Sequence, residues 1–116
     1  MKRIAVAAAL VVASISLLAA GTAGARVQAT TVGVKASEFK FVLTKKTVAK
    51  GVVTFKVANV GTIRHDFKIA GKKTPLISKG KSATLKVTFK KAGKYPYVCT
   101  VPGHAAAGMK GVLTVK

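Results

Sequence analysis

Apolar and polar residues alternate with a period of two along most of the chain after Arg26. This period is typical of strands that bury one face, and glycine or proline turns separate the runs every 8–12 residues or so. We expect Phe39, Phe41 and Leu43 to face inward in the first run. The alternating or β-branched runs lie at 38–43, 53–58, 67–69, 85–89 and 112–116. The pattern predicts an all-β fold, a Greek-key β-sandwich or barrel of about seven to eight strands.

Residues 1–25 differ from the rest of the chain and are predicted to be a signal peptide. A basic start is followed by an uncharged apolar run at 4–20, and Ala23-Gly24-Ala25 offers the small residues that signal peptidase accepts. An uncleaved membrane anchor is the alternative, although the run is short for a hydrocarbon core about 30 Å thick. We therefore expect cleavage after residue 25 and a single domain at 26–116, exported to a periplasmic or extracellular location.

Cys99 is the only cysteine of the chain, so an intrachain disulfide is impossible. A lone cysteine is often just a small buried hydrophobic residue. A free thiol is nevertheless a liability in the oxidising compartment that export implies. We therefore expect a partner chain or a metal ion to occupy the sulfur.

Further metal-binding side chains stand at regular spacing around this cysteine. His104 and Met109 lie five and ten residues after Cys99, in a segment whose proline and glycines exclude a regular helix. Such a loop can fold three side chains around one centre. His65 lies well upstream, where the end of another strand of the sandwich can bring it to the same place.

The combination of donor atoms selects the metal. One thiolate, two imidazoles and one thioether form a trigonal blue-copper site with a weak axial methionine. Structural zinc would require more thiolates, and iron–sulfur clusters about four cysteines. A non-haem iron triad would require a carboxylate ligand, and with only two acidic residues in the chain a calcium or magnesium site lacks oxygen ligands. The sequence therefore predicts one copper ion per chain, bound by His65, Cys99, His104 and Met109.

Two segments carry a family resemblance. Tyr97–Gly111, with a Pro-Gly pair before the histidine, resembles the ligand loop of plastocyanin- and azurin-like cupredoxins. Gly51–Phe67 is similar to the strand pair that carries their first histidine. The resemblance implies the same four ligands and a type 1 (blue) copper protein that carries single electrons between redox partners. It also implies that the edge of His104, among small residues, is the point where electrons enter and leave.

The chain departs from this family at the position after the first histidine. That residue is often Asn or Ser, whereas here it is Asp66. In the family the position steadies the cysteine sulfur or ties the two ligand loops together. A carboxylate there is expected to add negative charge near copper and to lower its reduction potential while it stays ionised. Asn59 and Thr100 are the other residues that we expect to support the ligands.

The charge of the chain is extreme, with 21 lysines and arginines against two acidic residues and a formal charge of +19. Such a field attracts acidic partners and speeds association, and it does not determine the fold. We expect a monomer that meets redox proteins with acidic docking surfaces, with association at an anionic membrane or envelope surface also open. Specific nucleic-acid binding is not expected, because the aromatic residues that stack bases are lacking.

Copper handling, by a periplasmic or extracellular chaperone or scavenger, is the alternative function. Open, methionine-rich sites would favour it, whereas this chain has one methionine besides Met1. Enzymatic activity is not expected. The sequence offers no carboxylate pair for acid–base chemistry, no nucleophilic triad and no open metal position for a substrate.

Overall fold

The computed structural model describes residues 29–116, so the predicted signal peptide and its cleavage site lie outside the described residues. Within them no helix is long and apolar enough to cross a membrane. The described chain forms nine β-strands, of which three contain only two residues each and account for the excess over the predicted number. The strands are β1 (Ala29–Ser37), β2 (Lys40–Leu43), β3 (Thr47–Val48), β4 (Gly51–Asn59), β5 (Lys68–Ile69), β6 (Lys72–Lys73), β7 (Ser82–Phe89), β8 (Gly93–Val98) and β9 (Lys110–Val115).

The strands form two sheets. One sheet has the order β2-β1-β4-β7 and the other the order β3-β9-β8-β5-β6. Two neighbouring pairs, β1 with β4 and β3 with β9, are parallel, and the other pairs are antiparallel. The apolar faces of both sheets contribute to one core. The all-β sandwich predicted from the alternation is therefore confirmed.

Strand β4 illustrates how the alternation produces this fold. Val53, Phe55 and Val57 are fully buried, whereas Lys56 between them is exposed. Burial of each apolar side chain contributes about 1.5–3 kcal/mol. A slip of one residue would bury the lysine and expose its neighbours, so the pattern fixes the register of the strand.

A cluster of aromatic rings connects the core to the loops that carry the predicted ligands. The ring centroid of Phe67 lies 5.2 Å from that of Phe41, 5.2 Å from that of Phe55 and 5.4 Å from that of Tyr97. Phe67 comes two residues after the first predicted histidine, and Tyr97 comes two residues before the cysteine. Packing of this cluster therefore fixes both segments relative to each other.

The prediction that Phe39 faces the core is wrong. Its side chain is 40 % exposed, because it lies in the turn between β1 and β2, before the alternation of β2 begins at Lys40. Its ring instead packs edge-on against His104, with 4.9 Å between the ring centroids. Phe41 and Leu43 face inward as predicted.

Candidate metal centre

Three of the four predicted ligands meet in one buried cluster. His65 lies between β4 and β5, Cys99 directly follows β8, and His104 lies between β8 and β9. The Nδ1 atoms of the two histidines are 3.1 Å apart. The sulfur of Cys99 lies 3.5 Å from Nδ1 of His104 and 4.0 Å from Nδ1 of His65. No other group of three or more His, Cys, Asp or Glu side chains in the described chain is arranged to hold a metal.

The spacing of these three atoms suits a single metal ion. A triangle with sides of 3.1, 3.5 and 4.0 Å has a centre about 2.1 Å from each corner. Zinc, a first-row metal close to copper in size, binds imidazole nitrogen at about 2.0–2.1 Å and thiolate sulfur at about 2.3 Å. The three atoms therefore stand at coordination separations, and two imidazoles with one thiolate are the set that suits copper.

The fourth predicted ligand, Met109, is tied to two of the others through its backbone. The amide of Cys99 donates to the carbonyl of Met109 at 3.1 Å, and the amide of Met109 donates to the carbonyl of His104 at 3.0 Å. The Met109 side chain is fully buried. The loop thus closes on itself and brings the methionine beside the cluster, while axial ligation by its sulfur stays a prediction.

Glycines allow this loop to close. Gly103 and Gly108 have φ values of 85° and 121°, a region that residues with a side chain rarely adopt. Between them the amide of Ala107 donates to the carbonyl of Gly103 at 3.1 Å. The loop is a series of turns rather than a helix, as its proline and glycines predict.

The segment that carries His65 is held by a second set of hydrogen bonds. Its amide and carbonyl pair with the backbone of Ile77 at 3.2 and 2.7 Å. The buried side-chain amide of Asn59 donates to the carbonyls of Ile63 and Ile77, both at 2.8 Å. Asn59, expected to support the ligands, therefore acts on His65 by fixing Ile63, two residues before it, and Ile77, its backbone partner.

Asp66 joins the two ligand loops. One carboxylate oxygen accepts the amide of Thr100 at 2.6 Å, and the other accepts its hydroxyl at 2.5 Å. Asp66 is buried, and Nζ of Lys73 lies 3.9 Å from it. Because Asp66 follows the first histidine and Thr100 follows the cysteine, these bonds hold the two ligands in place. Of the two roles that the family resemblance implied for this position, the tie between the loops is present.

Replacing Asp66 by asparagine is expected to raise the reduction potential of the copper-loaded protein. The change removes negative charge beside the site while keeping an acceptor for the Thr100 amide. A tenfold change in the ratio of Cu(II) to Cu(I) affinity corresponds to about 59 mV, and we expect a rise of this order in a spectroelectrochemical titration. Thr100→Val is the control, since it removes a hydrogen bond and keeps the charge. An unchanged or lower potential in Asp66→Asn would contradict the electrostatic role.

The sequence interpretation missed Glu38. This residue lies in the turn between β1 and β2, and its Oε2 atom is 3.3 Å from Nε2 of His65. Hydrogen bonds from the hydroxyl and amide of Thr62 are the main reason that the pKa of Glu38 falls to about 2. The one signal in the sequence was the scarcity of acidic residues, since the chain has only two. The structure places both of them beside the predicted ligand segments.

The pKa of Cys99 shifts in the opposite direction to that of Glu38, and the main cause is burial. Cys99 is 1 % exposed, and desolvation raises the pKa of its thiol above the ordinary value. The copper-free protein therefore holds the protonated thiol at neutral pH. Since the metal ligand is the thiolate, copper binding has to displace this proton.

Comparison with known proteins places these residues in a family. Residues 17–116 match the family described as copper binding proteins of the plastocyanin/azurin type. The sequence is 51 % identical over 41 residues to the copper-resistant cuproprotein CopI of Pseudomonas aeruginosa strain PAO1, covering 35 % of this chain and 23 % of CopI. It is 45 % identical over 42 residues to auracyanin-B of Chloroflexus aurantiacus, covering 36 % and 18 %. The matched segments thus span less than a quarter of either relative.

Solved structures with the same fold extend over more of the chain. Auracyanin A, a blue copper protein from Chloroflexus aurantiacus, has a TM-score of 0.67 at 23 % identity and covers 77 % of this chain and 100 % of its own. Auracyanin B has a TM-score of 0.66 at 24 % identity and covers 75 % and 88 %. At this level of identity the two structures bear on the fold, and they agree with the sandwich described above.

Proposed function

This chain belongs to the plastocyanin/azurin family of copper-binding proteins, and we propose that it is a one-electron carrier whose single copper ion cycles between Cu(I) and Cu(II). The observation that supports this most directly is the buried triangle of donor atoms from His65, Cys99 and His104. Met109 is proposed as the weak axial ligand of a blue-copper site.

The surroundings of the donor atoms suit a carrier. Copper, when bound, supplies the one-electron chemistry, and the chain has to keep the ligands in place in both oxidation states. The bonds of Asp66 to Thr100, of Cys99 to Met109 and of His65 to Ile77 serve that purpose. Because the donors are buried, water and substrates are kept away from the metal, which supports a carrier over an enzyme.

Electrons are proposed to pass through His104. It is the most exposed of the three clustered side chains, at 8 %, against 1 % or less for Cys99 and His65. Small or apolar residues with exposed surface surround the loop, which would allow a partner to approach closely. They are Pro102, Ala106 and Ala107 in the loop itself and Phe39, whose ring packs against His104. Transient redox encounters bury little surface, so a small patch is sufficient.

The positive charge is proposed to bring acidic redox partners to this patch. Within residues 29–116 the sole pair of a lysine with a carboxylate is Lys73 with Asp66, so the other lysines add to an unpaired field. A field of this kind raises association rates by electrostatic steering. We propose that the protein acts as a monomer and that its partners carry acidic docking surfaces.

Electron transfer to an acidic redox protein is expected to slow at least about tenfold between about 0.01 and 0.15 M salt, since the screening length falls from about 30 Å to about 8 Å. Stopped-flow absorbance measures the second-order rate constant. An uncharged small oxidant is the control and should show almost no dependence on salt. Equal salt dependence for both oxidants would contradict steering by the lysines.

A second candidate function is copper handling. The local identity to CopI, whose name describes a copper-resistant cuproprotein, supports it. The two functions make different demands on the same site. A carrier exchanges electrons quickly and releases copper slowly, whereas a chaperone or scavenger has to pass its copper on.

The deciding experiment measures both rates on the copper-loaded protein. Electron self-exchange is followed by NMR line broadening in mixtures of the reduced and oxidised forms. Copper release is followed by transfer to an excess of a chelator. Fast self-exchange with slow release supports the carrier. Slow self-exchange with rapid release would replace it by copper handling.

Export is the third part of the proposal. It rests on the basic start, the apolar run and the small residues of 1–25. The family match covers residues 17–116 and does not test cleavage. We propose that residues 1–25 direct the chain to a periplasmic or extracellular location and are removed there. The intact mass of the secreted protein tests this, and a mass that includes Met1 would contradict cleavage.

A further inference from the structure

The turn between β1 and β2 places a carboxylate behind one of the copper-binding histidines. Oε2 of Glu38 lies 3.3 Å from Nε2 of His65, the ring nitrogen that does not face the donor triangle. Oε1 accepts hydrogen bonds from the Thr62 amide at 2.7 Å, the Thr62 hydroxyl at 2.5 Å and the Ile63 amide at 3.2 Å. One oxygen of the carboxylate is thus anchored to the backbone, and the other is left for the imidazole.

We propose that Glu38 is a positioning residue that selects the proton position and the orientation of His65. Acceptance of a hydrogen bond from Nε2–H keeps the proton on that nitrogen and leaves Nδ1 free to bind copper. Metal-binding histidines commonly depend on such a partner at the second nitrogen. The inference rests on the proposed copper site and is independent of whether the protein carries electrons or handles copper.

His65 has particular need of this partner. It is fully buried, so water is not available to accept the second N–H. The chain has two acidic residues, and Asp66 uses both of its oxygens on Thr100. Glu38 is therefore the one carboxylate that can serve a histidine, and it serves His65 rather than His104.

Gly61 provides the space for this contact. A Cβ atom at Gly61 would overlap Oε2 of Glu38, the oxygen that faces His65. The amide of Gly61 donates to the side-chain oxygen of Asn59 at 2.8 Å, which holds the turn in place. The Asn59-x-Gly61 turn before the first histidine thus has a steric role, because it leaves room for the carboxylate of Glu38 from the turn between β1 and β2.

Four variants separate positioning from a merely structural role. Glu38→Ala removes the acceptor. Gly61→Ala keeps the carboxylate and displaces it. Thr62→Val is the matched control, since it removes one hydrogen bond to Glu38 and leaves both the carboxylate and its contact with His65. Glu38→Gln keeps the size of the side chain. Because its one oxygen has to face the Thr62 and Ile63 amides, its NH2 group faces Nε2 of His65 and donates where the carboxylate accepts.

The first measurement uses the copper-free full-length chain, in which ¹⁵N chemical shifts report which ring nitrogen carries the proton. At about pH 8, the wild-type protein is expected to hold His65 with the proton on Nε2. Loss of a charge-assisted hydrogen bond should raise the share of the Nδ1–H form about tenfold in Glu38→Ala. The same shift is expected in Gly61→Ala, one at least as large in Glu38→Gln and none in Thr62→Val.

The second measurement is Cu(II) affinity by competition with a chelator. Loss of a partner of this kind lowers metal affinity about 10–100-fold, so this loss is expected for Glu38→Ala, Gly61→Ala and Glu38→Gln. Thr62→Val should lower thermal stability. Its Cu(II) affinity should stay within about twofold of the wild type, a much smaller change than the loss expected for Glu38→Ala.

Several results would overturn the inference. They are a wild-type His65 with its proton on Nδ1, an unchanged proton position in Glu38→Ala or Gly61→Ala, and an affinity loss in Thr62→Val as large as in Glu38→Ala. A wild-type protein that binds no copper would overturn the proposed function instead. The proton position in the copper-free chain would still decide the role of Glu38, and if Glu38→Ala failed to fold, Gly61→Ala and Glu38→Gln would decide it.

Discussion

The Cys99→Ser protein is expected to bind copper without the intense red absorption band that the copper-loaded wild type should have. That band arises from charge transfer between a thiolate and Cu(II), and Cys99 is the only cysteine in the chain. Its sulfur lies 3.5 and 4.0 Å from the two Nδ1 atoms of the cluster. Serine has nearly the same size, so the fold should persist while the band is lost almost completely.

Visible absorption at equal copper loading measures this effect, and metal analysis gives the loading. Met109→Leu is the matched control, because it alters the proposed axial ligand and keeps the thiolate. That control should keep an intense band with a changed reduction potential. An intense band of undiminished strength in Cys99→Ser would refute the assignment of the thiolate. Loss of the band in Met109→Leu but not in Cys99→Ser would show that the band does not arise from the Cys99 thiolate.

The second large effect is expected from Phe67→Ala. The Phe67 side chain is fully buried and contacts three aromatic rings of the core. Truncation of a buried phenylalanine to alanine costs about 3–5 kcal/mol, a large part of the 5–15 kcal/mol or so that stabilises a typical domain. Because Phe67 directly follows Asp66, the same change should loosen the tie between the two ligand loops and weaken copper binding.

Urea unfolding of the copper-free protein measures this loss, with Phe39→Ala as the matched control. Phe39 has the same side chain in an exposed position, and its removal should cost about 1 kcal/mol or less. Equal losses for the two variants would contradict the account of the core. So would a Phe67→Ala protein as stable as the wild type.

The alternation of the sequence was sufficient to predict the class of fold and the buried faces. In β4 and β9 the inward residues are those that the period of two selects. The alternation did not predict which strands pair. In the parallel pair of β1 with β4, the two strands are separated in the chain by β2 and β3, and a period of two carries no information on which strands become neighbours.

The site was predictable to the extent that donor chemistry is local and specific. Cys99 and His104 lie within one loop. His65 was predicted to join them because a blue-copper site needs a second imidazole. Glu38 was not predictable in this way, because a carboxylate is not one of the donors of a blue-copper site and its contact is with the ring of His65. Its carboxylate acts only through a contact between turns, and the misplacement of Phe39 has the same origin. Turn residues are positioned by tertiary packing rather than by a repeating pattern.

The proposal that this chain is a one-electron copper carrier calls first for a redox titration of the copper-loaded protein followed by visible absorption. We expect one copper ion per chain and an intense red band that disappears when ascorbate reduces the protein. Reoxidation should restore the band fully over repeated cycles, with no loss of copper. A colourless Cu(II) form, or a band that fails to return because the metal is released on reduction, would contradict it.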